Sequence, residues 1–230
     1  MNKFLLALLL TATPVLADHH TSSINEPLGV NKITKGMKSY DAMGCMLLRE
    51  CTDNVEKIYS IGDIRNRYPD SNYGIIAHEF NSMLVSLEHV GVNVFLADQK
   101  YFPHGHRGVY HTVGNNFFLN EDYMSKQGTL MSVMRHEGWH AAQDCMAGTI
   151  DNNMIAIIKP EEDVPMLWTE IAKRTYTDSV LPWEREAMWA GHTDKMTMDA
   201  LAACATGKMW EVYSPTPLTR QFLEEKGYIK

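Results

Sequence analysis

Apolar residues recur at intervals of three and four over two stretches in the first half of the chain. In residues 41–61, Met43, Met46, Leu47, Val55, Ile58 and Tyr59 fall near helical spacing. In residues 75–90, Ile76, Phe80, Met83, Leu84, Leu87 and Val90 repeat the pattern. Both stretches predict helices, and Gly91 stands where glycine is favoured as a helix stop. The period then changes. Residues 92–102 predict a strand, and residues 109–119 predict one or two more, broken at Gly114-Asn115. Between them lies the loop Pro103-His104-Gly105-His106-Arg107-Gly108. Helical spacing returns over 129–147, with Gly148 as the stop, and again over 166–176, 183–190, 194–206 and after Pro217. Helices, a few strands and a helical C-terminal half make an α+β architecture. It is expected to be one domain, 41–230, with lobes at about 41–148 and 149–230, and it carries no internal repeat or low-complexity tract.

The first 40 residues do not fit that pattern. Lys3, the apolar run 4–10 and Val15-Leu16-Ala17 have the layout of a secretory signal peptide over residues 1–17. The run is far shorter than the ~20 residues a membrane helix needs, so no stable membrane anchor is expected after cleavage. Residues 18–40 are polar, lack periodicity and read as a mobile lead-in. The expected location is periplasmic or extracellular. The formal charge of −7, with no basic run, argues against nucleic acid as a partner, because such binding rests on neutralising phosphates.

Candidate chemistry concentrates at His136-Glu137-Gly138-Trp139-His140, inside the 129–147 helix. Residues four apart on a helix share a face, so His136 and His140 can present both imidazoles to one zinc ion. A catalytic zinc keeps a position open for water and lowers its pKa, and Glu137 beside the first ligand can take the proton. That is the mechanical basis of H-E-x-x-H. The same residues contain E-x-x-H, half of a di-iron carboxylate motif. No other histidine has a glutamate three residues before it, which removes that reading.

A third ligand must come from elsewhere. Position 146, where a third histidine would complete the metzincin pattern, holds Met146. Downstream, in Trp183-Glu184-Arg185-Glu186-Ala187-Met188-Trp189-Ala190, the chain resembles the gluzincin type of zincin metallopeptidase. In that type a later helix supplies the third ligand as E-x-x-A or E-x-x-S. Glu184 precedes Ala187 by three and fits; many gluzincins also carry an acid four residues after the ligand, where this chain has Met188. Glu186, two positions on, points to a nearly opposite side of the helix and is the alternative ligand; Asp144 and Glu170 are further candidates. The resemblance covers about residues 92–190 and is specific only at His136, Glu137, His140 and Glu184. It implies a zincin-like fold, one Zn²⁺, a peptide or protein substrate, and a strand within 109–119 that pairs with extended substrate, which sheet-edge addition makes physically reasonable.

Four cysteines in an exported chain suggest disulfides. Cys45 and Cys51 are neighbours able to close a small loop. Cys145 ends the active helix, and Cys204 lies in the helical segment after the Glu184 helix, so a metal drawing these segments together would bring the two close. The alternatives are four reduced, buried thiols or a thiolate zinc site, the latter without any C-x-x-C spacing. Asp144, one turn after His140, can orient an imidazole or simply cap the surface. His104, His106 and His111 mark either a glycine-rich turn or an overhanging donor to an oxyanion. Tyr176 and Tyr213 are among several tyrosines that could donate to a transition state, and the sequence selects none. The expected function is that of a secreted zinc peptidase with Glu137 as general base. The alternative is a secreted module that keeps the zinc without turnover.

Overall fold

The computed structural model describes residues 39–148, 150 and 152–230. The expected signal peptide and all but the end of the lead-in lie outside these residues. Within them the protein is α+β, with one four-stranded mixed sheet among helices.

The N-terminal helical expectation needs correction. Helix α1 is Ser39–Leu47, followed by strand β1 at Val55–Lys57 and helix α2 at Ile61–Arg67. Two periods had merged over residues 41–61. Met43 and Met46 face inward from a helix, whereas Val55 and Lys57 alternate with exposed Glu56 on a strand. The break is covalent as well as polar, since a Cys45–Cys51 disulfide turns the chain back on α1, and Arg49 and Asn54 adopt positive φ around the bend. Helix α2 then starts from a capping box, in which Ser60 accepts from Gly62 N and Asp63 accepts from Ser60 N. Helix α3, Ala77–His89, buries Phe80, Met83, Leu84 and Leu87 on one stripe, as expected.

Strands β2 (Asn93–Ala97), β3 (Gly108–His111) and β4 (Asn116–Asn120) complete the sheet in the order β1-β2-β4-β3. β2 and β4 are parallel, and the outer pairs are antiparallel. β4 is buried at every residue because both of its faces are covered. Phe117 and Leu119 join the main core, while Phe118 turns to a smaller cluster with Met43 and Met46 of α1. β3, in contrast, lies at the sheet edge.

Helix α4, Gln127–Met146, packs beneath that edge and runs through the middle of the molecule. Helices α5 (Met166–Thr175), α6 (Leu181–Gly191), α7 (Met196–Ala205), α8 (Met209–Val212) and α9 (Pro217–Glu225) follow; the short α8 had no sequence signal. A single hydrophobic cluster takes in Phe80, Leu87, Leu119, Trp139, Ala187 and Leu201, so the two halves of the chain share one core. Arg135 on α4 adds a polar clamp, forking onto Glu79 of α3 at 2.8 and 2.7 Å and reaching Asp194 beyond α6 at 2.6 Å. A second disulfide joins Cys145 on α4 to Cys204 on α7, with Cα atoms 6.1 Å apart. Two disulfides fit an oxidising, extracellular environment. Among the described residues no helix is long and apolar enough to cross a membrane.

Candidate metal centre

His136 and His140 sit one turn apart on α4, with ring centroids 5.0 Å apart and planes at 84°. Helix α6 lies antiparallel against that turn. Its facing positions are Glu184, Ala187 and Gly191, at helical spacing, and the small ones permit close approach. A Cβ on Gly191 would stand 3.1 Å from Ser132 O and 3.3 Å from His136 Cβ, so a larger residue there would push α6 off α4. The approach carries Glu184 to the histidines. Its Oε2 lies 3.2 Å from His136 Nε2 and 3.7 Å from His140 Nε2.

The three ligand atoms fall within 4.8 Å of one another, and among the described residues this is the only His/Cys/Asp/Glu group of three so disposed. Glu184 Oε2 is buried there with the two imidazoles as its neighbours and no well-aligned hydrogen bond, which leaves lone pairs available to an ion. The electrostatics have the same sense. Burial disfavours charge on His140, but the Glu184 carboxylate outweighs it and raises the imidazole to about 9. Burial likewise opposes ionisation of Glu184, yet His140 and His136 hold its carboxyl well below the usual range. A site that draws a proton this strongly is short of positive charge. Two imidazole nitrogens and one carboxylate oxygen also form a donor set that suits zinc, with a coordination position left over. The three side chains keep 15, 12 and 13 % exposure.

Glu186 lies elsewhere. It is fully buried, and its Oε1 accepts from Ile158 N and Lys159 N at 3.1 and 3.0 Å. Its Oε2 accepts from Trp139 Nε1 at 2.9 Å and Gln143 Nε2 at 3.0 Å. Burial pushes this carboxyl up to about 7 against the pull of those donors. Glu186 is thus outside the metal group and fastens α4, α6 and the segment around Ile158 together. The other acidic candidates are also engaged elsewhere. Glu170 pairs with Lys173 on the surface, and Asp144 accepts from the Tyr110 hydroxyl at 2.8 Å.

Glu137 faces the sheet edge. Its Oε2 accepts from Tyr110 N at 2.9 Å, while the Tyr110 side chain reaches Asp144 two turns further along the same helix. One residue of β3 therefore pins the edge strand along α4 at two points. Of the strand residues 109–119, only those in β3 lie at the sheet edge, since β4 is paired on both sides. The imidazole of His140 is oriented by Gln143, whose Oε1 stands 2.8 Å from Nδ1, and not by Asp144. Tyr176, just after α5, lies with its ring nearly parallel to that of His136 at 6.5 Å. Burial, then the charges of Glu184 and Glu137, raise its phenol, so the hydroxyl stays protonated.

The histidine loop contributes nothing to the metal group. His104 is exposed, His106 packs edge-on to Tyr40, and half-buried His111 keeps Nδ1 without a hydrogen bond. Tyr213 sits under Lys159, with Asp199 nearby. Gln143 was legible in principle, three residues after His140 on a helix. Tyr110 had no local signal, because its role depends on where β3 docks. Comparison with protein-family models, curated proteins and solved structures finds no match for this chain.

Proposed function

We propose that this protein is an exported, zincin-like zinc peptidase that hydrolyses peptide bonds with Glu137 as general base. The observation that carries the reading is the convergence of His136, His140 and Glu184 Oε2 into one group, with Glu137 and the edge strand β3 beside it. Zinc held by the three ligands would supply Lewis acidity toward a scissile carbonyl and make water acidic enough to attack at neutral pH.

The chain's own groups then divide the work. The Glu137 carboxylate takes a proton from the attacking water and returns it to the leaving amine. The Tyr176 hydroxyl, kept protonated by its surroundings, donates a hydrogen bond to the developing oxyanion. Strand β3 is the edge where an extended peptide would add, and such a peptide would compete with Glu137 for the Tyr110 amide. Among the described residues the metal group has three ligands, which favours a working site over a closed structural one.

Cleavage of a peptide library by zinc-loaded protein tests this reading. Activity should vanish with chelator, and Glu137→Gln should keep its zinc while losing about 10²- to 10⁴-fold in rate. Zinc-loaded protein that cleaves no peptide, or a Glu137→Gln variant as fast as the parent, would overturn it.

A further inference from the structure

We infer that Gln143 and Glu186 form a buried relay that fixes the tautomer of His140 and aims its Nε2 lone pair into the metal group. The inference rests on the metal-centre reading above and adds two positioning residues to it. It follows from which atoms can donate. The Gln143 amide has two neighbours on one side, Glu186 Oε2 at 3.0 Å and the Trp183 carbonyl oxygen at 3.2 Å. Both only accept. The amide must therefore turn its NH₂ toward them, since the flipped rotamer would set its oxygen against two other oxygens. Gln143 Oε1 is left facing His140 Nδ1 at 2.8 Å. An amide oxygen cannot donate, so Nδ1 must carry the hydrogen, and in the neutral ring Nε2 is left bare.

This matters because a free histidine favours the opposite tautomer, with the hydrogen on Nε2, where it would block a metal. The relay overrides that preference, and Glu186 makes it rigid. Five donor contacts from Trp139, Gln143, Ile158 and Lys159 converge on its carboxylate, and the residue is fully buried. Neither its oxygens nor the Gln143 amide can reorient without breaking bonds to α4, α6 and the segment around Ile158. Two glutamates two residues apart thus serve one ion in different ways. Glu184 reaches the metal directly, and Glu186 acts through Gln143 and His140. Hydrogen-bond partners of this kind typically govern about 10- to 100-fold of metal affinity.

The test uses ¹⁵N-histidine-labelled full-length mature protein and the variants Gln143→Leu and Glu186→Gln. Gln143→Leu removes the acceptor at similar volume. Glu186→Gln keeps one carbonyl oxygen for Gln143 and serves as the conservative control. Two-bond ¹H–¹⁵N correlations on the metal-free proteins, at a pH where His140 is neutral, read the tautomer, and competition titration reads zinc affinity. The parent and Glu186→Gln should show hydrogen on Nδ1 of His140. Gln143→Leu should lose that preference and bind zinc about 10- to 100-fold more weakly, with its circular dichroism unchanged. Hydrogen on Nε2 in the parent, or a Gln143→Leu variant with parental tautomer or parental affinity, would overturn the relay. A parent that binds no zinc but carries its hydrogen on Nδ1 would sink the metal centre and leave the relay standing.

Discussion

Glu184 and Glu186 show how much two positions on one helix can differ. Both are withdrawn from solvent, but Glu184 presents a bare oxygen to two imidazoles while Glu186 is surrounded by N–H donors. Their replacements should therefore fail in different ways. Glu186→Ala strands the Trp139 indole and two backbone amides in the interior, and urea unfolding should register a loss of about 3–5 kcal/mol. A loss under 1 kcal/mol would mean that the buried network is dispensable. His111 gives the residue-scale pH dependence. Burial lowers its imidazole below the ordinary 6.5, so the folded state resists a proton that the unfolded chain accepts. Its contribution is intact at neutral pH and is lost as pH falls below the unfolded value. His111→Gln should flatten the decline of Tm below about pH 6.5; an identical slope in parent and variant would contradict this. At this scale His136, Glu137 and His140 were legible from helical spacing, and Glu184 from the resemblance of its E-x-x-A segment, with Glu186 as the alternative. Gln143 offered only its spacing from His140, and Tyr110 and the choice of Tyr176 depend on contacts between distant segments.

At the scale of elements, the site is a product of α4, α6 and β3 lying against one another. Small residues on α6 set its distance from α4, and Tyr110 sets the register of β3 along it. The strands around Gly114-Asn115 and the long helices were readable from their periods. Residues 41–61 were not, because a three-residue strand is too short to show alternation against a preceding helix. The Cys145–Cys204 bridge ties α4 to α7 across a separation of 59 residues. The loop-closure entropy of a cross-link that long is about 4 kcal/mol. Replacing both cysteines by serine should lower stability by about that much in denaturant titration. A variant as stable as the parent would show that packing of α7 on α4 holds the arrangement without the bridge.

The whole molecule places the candidate site at the seam between a sheet-bearing N-terminal half and a helical C-terminal half that share one core. The fold class was legible from the sequence because it depends only on the order of periods along the chain. The seam was not, because it forms where α6 and α7 return to α4. That return is also what brings Glu184 to His140, 44 positions earlier, to form the candidate metal group. Zinc content by mass spectrometry, on oxidised protein purified in its mature form and on Glu184→Ala beside it, tests this most directly. One zinc per chain is expected in the parent and close to none in the variant. A parent without zinc after loading, or a Glu184→Ala variant that holds zinc as the parent does, would contradict the assignment of His136, His140 and Glu184 as its ligands.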